Sequence, residues 1–281
     1  MTSAPRAFVV GHPIKHSRSP LIHGHWLREH GLAGAYERID VPPQEFASFL
    51  RSLDQRGYVG GNVTLPHKEA AFELVTRRTE RAERLQAVNT IWLEDGVLWG
   101  DNTDVTGFMA HLDQTLGSGW EQNVGTALVL GAGGASRAIV AGLLERAIDR
   151  IYVSNRTLEK ARQLTALDPR RVEALPWNSI PEALPISGLV VNTTSLGMVG
   201  QPALTIDLAP ARADAIVADI VYVPLRTALL AAAEERGFRT VDGLGMLLHQ
   251  AVPGFARWFG IMPQVTPELR ALVVADIEER S

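Results

Sequence analysis

The sequence predicts an α/β protein of two domains with a cleft between them. Strand-like and helix-like runs alternate along nearly all of the 281 residues. A polar, glycine-containing stretch, GSGWEQNVG at 117–125, interrupts that alternation. Immediately after it an apolar run leads into the glycine-rich turn GAGGASRA. Alternation of this kind builds mostly parallel sheets with helices on their faces, and the interruption reads as the domain seam.

In the first hundred residues, Ala7–Val10 is an apolar strand run ending at Gly11, and Pro20–His30 has helical spacing and stops at Gly31. Tyr36–Val41 alternates as a strand, while Gln44–Leu53 sets Phe46, Phe49, Leu50 and Leu53 on one helical face. Tyr58–Thr64 is a short strand, and Pro66 opens a helix through Leu74. Ala87–Leu93 and Val97–Trp99, around Glu94-Asp95-Gly96, read as a hairpin, and Thr106–Leu116 as a helix. After the polar stretch come a strand at Ala127–Leu130, a helix to about Arg146, a strand at Ile151–Val153 and a helix at Leu158–Ala166. Strands at Leu189–Asn192, Ala215–Asp219 and Arg239–Val241 follow, with a helix at Leu225–Arg236. The tail carries two helices, Leu244–Phe259 and Pro267–Glu279. The reading assigns residues 1–105 to one domain, with 242–281 packing back on it, and 106–241 to the other.

Composition narrows the function. Apolar residues make up 46% and charged residues 21%, ordinary for a globular chain. A net charge of -4 argues against bulk binding of nucleic acid or anionic membranes. No run approaches the ~20 apolar residues of a membrane span, and no signal peptide is read, so a cytoplasmic protein is expected. With no cysteine, disulfides and thiolate chemistry are excluded, and the eight histidines show no metal-ligand spacing, so no metal is expected.

Gly131-Ala132-Gly133-Gly134-Ala135 sits between a strand and a helix, where glycines permit a tight turn and close approach of a pyrophosphate to the helix N-terminus. Ser136 stands where the usual G-x-G-x-x-G/A pattern continues, a small departure. The next strand runs into Ser154-Asn155-Arg156-Thr157 with no acid at its end. An acid there would repel a 2′-phosphate. Arg156 can pair with one while Asn155, Thr157 and Lys160 donate to it, which favours NADP over NAD. The alternative for Thr157 is a simple helix cap.

Lys68 closes the run Gly60–Lys68 at the start of a helix, where the macrodipole disfavours a cation; such a lysine suits proton transfer, although a surface lysine has the same pattern. Asp104, in Gly100–Asp104, is either its partner or a helix cap. Ser17 and Ser19 offer two hydroxyls at a strand–helix loop, suited to a carboxylate or to capping.

Together these segments resemble the shikimate dehydrogenase family over nearly the whole chain. The shared motifs are S-x-S-P at Ser17–Pro20, NVTxPxK at Asn62–Lys68, AVNT at Ala87–Thr90 and G-x-NTD at Gly100–Asp104. GAGGA at Gly131–Ala135, NRT at Asn155–Thr157, NTTSLGM at Asn192–Met198, DIVYVP at Asp219–Pro224 and DGLGMLLHQ at Asp242–Gln250 complete the series. The resemblance implies an N-terminal substrate-binding domain, a Rossmann-type dinucleotide-binding domain, and NADPH-dependent reduction of 3-dehydroshikimate to shikimate in chorismate and aromatic amino acid biosynthesis. It implies Lys68 and Asp104 as the acid–base pair. It assigns substrate contacts to Ser17, Ser19, Thr64, Asn89, Tyr222 and Gln250. For NADP it points to the loops Gly131–Ala135 and Asn155–Lys160 and to Glu80, Ile220 and Gly243. It implies a small-molecule partner and leaves monomer and homodimer equally open.

Two departures are local: Val105-Thr106 separate Asp104 from Gly107, and Ala251-Val252 follow Gln250. A quinate/shikimate dehydrogenase of the same family is the alternative, but relatives that favour quinate often carry threonine at the second loop serine and an acid in place of Asn155-Arg156. This chain has Ser19 and Arg156. An aminoshikimate-pathway relative shares the motifs. A non-enzymatic NADP-binding regulator would be expected to lack Lys68 or Asp104, and both are present.

Overall fold

A computed structural model describes residues 4–280. The chain forms two compact units. One comprises the described residues up to Asp104 together with Leu248–Asp276; the other comprises Val105–Leu247 and the residues from Ile277.

The first unit contains β1 (Arg6–Gly11), α1 (Ser19–Glu29), β2 (Ala35–Asp40), α2 (Pro43–Arg51), β3 (Tyr58–Val63), α3 (Lys68–Leu74), β4 (Arg77–Arg78), α4 (Glu80–Leu85), β5 (Thr90–Glu94) and β6 (Val97–Asp101). Their sheet has the order β2-β1-β3-β5-β6-β4. The strands β2, β1 and β3 are parallel, and β5 and β6 form the expected antiparallel hairpin. The apolar run of β1 feeds two cores, because alternate strand residues point to opposite faces. Phe8 and Val10 join Phe46, Phe49 and Leu50 of α2 on one face. Ala7 and Val9 join Tyr36, Trp92 and Trp258 on the other. The indole N–H of Trp258 donates to the Ile91 carbonyl at 2.9 Å, and that of Trp26 to the Gln264 carbonyl at 3.0 Å, so the 248–276 segment is an integral layer of this unit.

Helix α3 begins at Lys68 and not at Pro66. Residues 64–67 form a turn closed by His67 N–H on the Thr64 carbonyl at 2.9 Å, which delays the first helical turn.

The second unit contains most of α5 (Asp104–Leu116), then β7 (Thr126–Leu130), α6 (Gly134–Glu145), β8 (Arg150–Ser154), α7 (Leu158–Leu164), β9 (Val172–Leu175), α8 (Ile180–Ala183), β10 (Leu189–Asn192), β11 (Ile216–Asp219), α9 (Ala228–Glu235) and β12 (Arg239–Val241). All ladders of its six-stranded sheet are parallel, in the order β12-β11-β10-β7-β8-β9. Numbered from β7, this is the doubly wound order 3-2-1-4-5-6, with its switch point between β7 and β10. The strands are buried on both faces, which explains why TALVL, LVVN and IVAD read as unbroken apolar runs. The polar stretch 117–125 lies inside this unit, because Trp120 and Val124 are buried in its core. The chain passes between the units within α5, α10 (Leu244–Phe259) and α11 (Pro267–Arg280).

Candidate active site

In the first unit the chemistry gathers where β3 and β6 end and β5 begins. Lys68 is the first residue of α3, and its Nζ donates to Asp104 Oδ2 at 2.6 Å. The lysine side chain is 22% exposed and the aspartate 10%, so the pair is shielded yet reachable. The other carboxylate oxygen, Oδ1, accepts from Asn89 Nδ2 at 2.8 Å. Capping of α5 uses a neighbour: Asn102 Oδ1 accepts the Asp104 backbone N–H at 3.1 Å. Both carboxylate oxygens of Asp104 therefore serve Lys68 and Asn89.

Asn89 is itself braced. Its Oδ1 accepts from Thr103 N–H at 2.8 Å and from the Thr90 hydroxyl at 2.9 Å. Behind it, Asn62 Nδ2 donates to the Asn89 carbonyl and to Thr90 Oγ1, both at 3.2 Å, while Asn62 Oδ1 accepts from the buried Tyr36 hydroxyl at 2.5 Å. Thr103 Oγ1 donates to the Gln250 carbonyl at 2.8 Å, which ties the Gln250 backbone to the same network. On the far side Asp101 accepts from Arg81 at 2.7 Å, from the Thr79 hydroxyl at 2.6 Å and from Asn102 N–H at 2.7 Å; despite burial, these bonds hold its carboxyl below the usual range. Sequence reasoning reached Lys68, Asp104 and Asn89 but not Tyr36, Thr103 or the bracing role of Asn62. The available signal was a set of polar residues inside otherwise apolar strands.

Ser17 Oγ accepts the Ser19 N–H at 3.3 Å, and the two hydroxyls lie 3.3 Å apart. Ser17 thereby takes up the first N–H of α1, whose N-cap residue Arg18 makes no side-chain cap bond. Ser19 is buried and Thr64 half-buried, with Thr64 N–H bonded to the Val10 carbonyl at the end of the sheet. Glu80 is an exposed residue at the start of α4.

In the second unit the glycine-rich turn and the loop after β10 flank the switch point. Gly131 has φ +109°, and a Cβ there would lie 2.6 Å from Thr193 Oγ1, so glycine is required. Ser136, the departure from the glycine pattern, is fully buried and links the two loops. Its Oγ accepts Gly133 N–H at 3.0 Å and lies 2.6 Å from Thr193 Oγ1, which donates to the Leu130 carbonyl at 2.7 Å. Since a hydroxyl has one proton, Ser136 donates to Thr193. Open space surrounds the Cα hydrogens of Gly133 and Gly134 at the start of α6, and Ala132 and Ala135 complete the turn.

At the end of β8, Asn155 Nδ2 donates to the Thr157 carbonyl at 2.9 Å. Thr157 stands at the N-cap of α7 without a side-chain cap bond, so its hydroxyl is not consumed by capping. Arg156 and Lys160 are exposed, and no carboxylate of the described residues pairs with either. The buried Ser154 hydroxyl has no partner. Ile220 and Tyr222 follow β11 and are half-buried. A Cβ on Gly243 would fall 2.2 Å from the Ile220 carbonyl, so that position admits only glycine.

Among the described residues no helix is long and apolar enough to cross a membrane, and no group of three or more His, Cys, Asp or Glu could hold a metal ion.

Fold and site define a class: an α/β oxidoreductase with a Rossmann-type domain and a lysine–carboxylate pair. Comparison with known proteins narrows it. Residues 9–91 match the family described as shikimate dehydrogenase substrate binding domain, 116–220 match shikimate / quinate 5-dehydrogenase, and 243–272 match the shikimate 5′-dehydrogenase C-terminal domain. The NADP(+) shikimate dehydrogenase of Methylobacterium radiotolerans is 62% identical over 98% of this chain and 98% of its own. A shikimate 5-dehydrogenase structure from Thermus thermophilus, in complex with NADP(H) and shikimate, is 32% identical with a TM-score of 0.83, over 98% of this chain and 99% of its own. The quinate dehydrogenase of Corynebacterium glutamicum, in complex with NAD, is 29% identical with a TM-score of 0.90, over 97% and 99%. The chain belongs to the shikimate dehydrogenase family.

Proposed function

We propose that the protein reversibly reduces 3-dehydroshikimate to shikimate with NADPH, in chorismate and aromatic amino acid biosynthesis. The observation that carries this reading is the shielded Lys68–Asp104 pair at 2.6 Å, braced by Asn89. Reducing a ring ketone builds negative charge on its oxygen, and a proton must arrive as the charge develops. The Lys68 ammonium has three N–H bonds. One is held by Asp104, which leaves the others to meet the ketone oxygen and a neighbouring hydroxyl. Asp104, fixed through Oδ1, keeps Oδ2 on the lysine and accepts the proton in the reverse direction by way of it.

Ser17 and Ser19 are assigned to the substrate carboxylate, and Thr64, Asn89, Tyr222 and Gln250 to its hydroxyls. NADPH supplies the hydride when bound. The donor set fits a 2′-phosphorylated dinucleotide: open space at Gly133 and Gly134 before a 12-residue helix, and the unpaired cations Arg156 and Lys160 beside the uncapped Thr157 hydroxyl. Asn155, Glu80, Ile220 and Gly243 complete the cofactor contacts of this reading. It also carries a cytoplasmic location and a small-molecule substrate; sedimentation distinguishes monomer from homodimer.

Steady-state assays crossing shikimate and quinate with NADP and NAD test the reading. Shikimate with NADP should give the highest kcat/KM. Quinate with NAD as the best pair would replace it with the second reading, which the likeness to the Corynebacterium enzyme supports and the absence of an acid at the end of β8 opposes.

A further inference from the structure

We infer that Asp219 is a positioning residue for this reaction: its buried carboxylate holds the loops after β10 and β11 in the shape that presents Ile220 and Tyr222. The inference rests on the proposed roles of those two residues.

Asp219 ends β11 and is 1% exposed. Its partners are all neutral. Oδ1 accepts from Asn192 Nδ2 at 2.9 Å and from Val221 N–H at 3.0 Å, and Oδ2 accepts from the Thr227 hydroxyl at 2.8 Å. Burial raises the carboxyl to about 6 in spite of these three bonds. A buried carboxylate with no cation beside it is a costly way to fill space, and an apolar side chain would serve stability better. The arrangement makes sense through what the three donors belong to.

Asn192 ends β10 and shapes the loop that follows: its Oδ1 accepts the Thr194 N–H at 3.0 Å and the Thr194 hydroxyl at 2.7 Å, and its Nδ2 also donates to the Leu196 carbonyl. Its chain neighbour Thr193 carries the Ser136 contact that reaches the Gly133 turn. Val221 sits between Ile220 and Tyr222, so its N–H bond fixes the backbone from which both side chains project. Thr227 caps α9, accepting Leu230 N–H at 3.3 Å, and so anchors the far end of the same loop. One carboxylate thus joins three segments at the carboxyl edge of the parallel sheet, the edge at which open α/β sheets bind ligands.

Asp219→Asn keeps the shape but turns one acceptor into a donor facing donors. Hydrogen exchange on the unliganded wild type and variant should show faster exchange confined to 192–196 and 220–227, with the melting temperature held. The Kd for NADP+, read by calorimetry, and the KM for shikimate should each rise about tenfold, the scale of one lost bond to a charged group. Thr227→Val removes a single donor and should show the same pattern at smaller amplitude if Asp219→Asn does not fold. Wild-type binding constants in both variants would overturn the inference, as would protection lost across the whole second unit. A wild type that binds no NADP+ would instead overturn the proposed function, because the exchange pattern reads the loops without any cofactor.

Discussion

Thr103 donates its backbone N–H to Asn89 Oδ1 at 2.8 Å, and this bond decides which end of the Asn89 amide faces Asp104. A main-chain N–H can only donate, so the amide oxygen is held toward Thr103 and the NH₂ toward the carboxylate. Asn89→Asp would replace that donor with an acceptor 2.8 Å from Asp104 Oδ1. Two carboxyl groups at that distance do not both ionise at neutral pH. A fall in kcat of at least about 10²-fold is expected, with the acid limb of the pH–rate profile displaced to higher pH. A variant with wild-type kcat and profile would show that Asn89 does not orient Asp104.

Lys68→Ala should lower kcat by roughly 10²–10⁴-fold, the usual worth of a positioned acid–base group, while KM for shikimate changes far less. If kcat survives and only KM rises, Lys68 anchors substrate and the proton travels through Asp104 or water.

Arg156→Asp should reduce the preference for NADP over NAD by at least about an order of magnitude. It converts a phosphate–guanidinium pair, worth about 1.5–3 kcal/mol, into repulsion. The ratio of kcat/KM values for the two cofactors measures it, and an unchanged ratio removes Arg156 from the 2′-phosphate site.

Ser17→Ala with Ser19→Ala should raise KM for shikimate, each lost bond costing on the order of 1 kcal/mol, and leave NADP+ affinity near wild type. Calorimetric titration with each ligand separates the two effects; equal weakening of both would point to a folding defect.

His23 in the first unit and Asp219 in the second should respond to acid with opposite signs. His23 is fully buried, its ring stacked on that of Tyr36 with centroids 3.9 Å apart. Burial lowers its pKa from 6.5 to about 3. Below pH 6.5 the unfolded chain takes up a proton that the folded first unit refuses, so stability falls with pH down to about 3, by at most about 4–5 kcal/mol. Asp219 does the reverse. Raised from 3.8 to about 6, it holds a proton in the folded second unit that the unfolded chain releases, so stability rises as pH falls through that window. His23→Phe, which keeps the stacking, should flatten the acid loss of protection in the first unit. Equal acid sensitivity of wild type and variant by hydrogen exchange would remove His23 as its cause.

Much of this was legible in the sequence because the signals are local. The apolar runs of β7, β10 and β11 and the helical spacing of α2 are set by neighbours a few residues apart. Segments 75–86 and 167–188 show no element in the sequence, since β4, α4, β9 and α8 have 2, 6, 4 and 4 residues, too short to show a period. Asn192 and Asp219 looked like ordinary strand ends. Their pairing depends on β10 lying beside β11 in the register that sets Asn192 against Asp219, and strand order is not written in either segment. Ser136 reads as a departure from the glycine pattern because its partner, Thr193, lies 57 residues away.

The C-terminal segment that seats Trp258 on Ile91 has a consequence for synthesis on the ribosome. Val105–Leu247, the second unit apart from its last residues, is one uninterrupted stretch that carries all six strands of its sheet, so that sheet can form as soon as the stretch leaves the exit tunnel. The first unit emerges earlier yet waits, its Gly60–Trp92 face uncovered until Leu248–Asp276 has been translated. Order of emergence and order of sheet burial are inverted, and a nascent chain stalled after Leu247 holds the assembled parallel sheet of the second unit together with an open, aromatic-lined sheet that the rest of the chain has yet to cover.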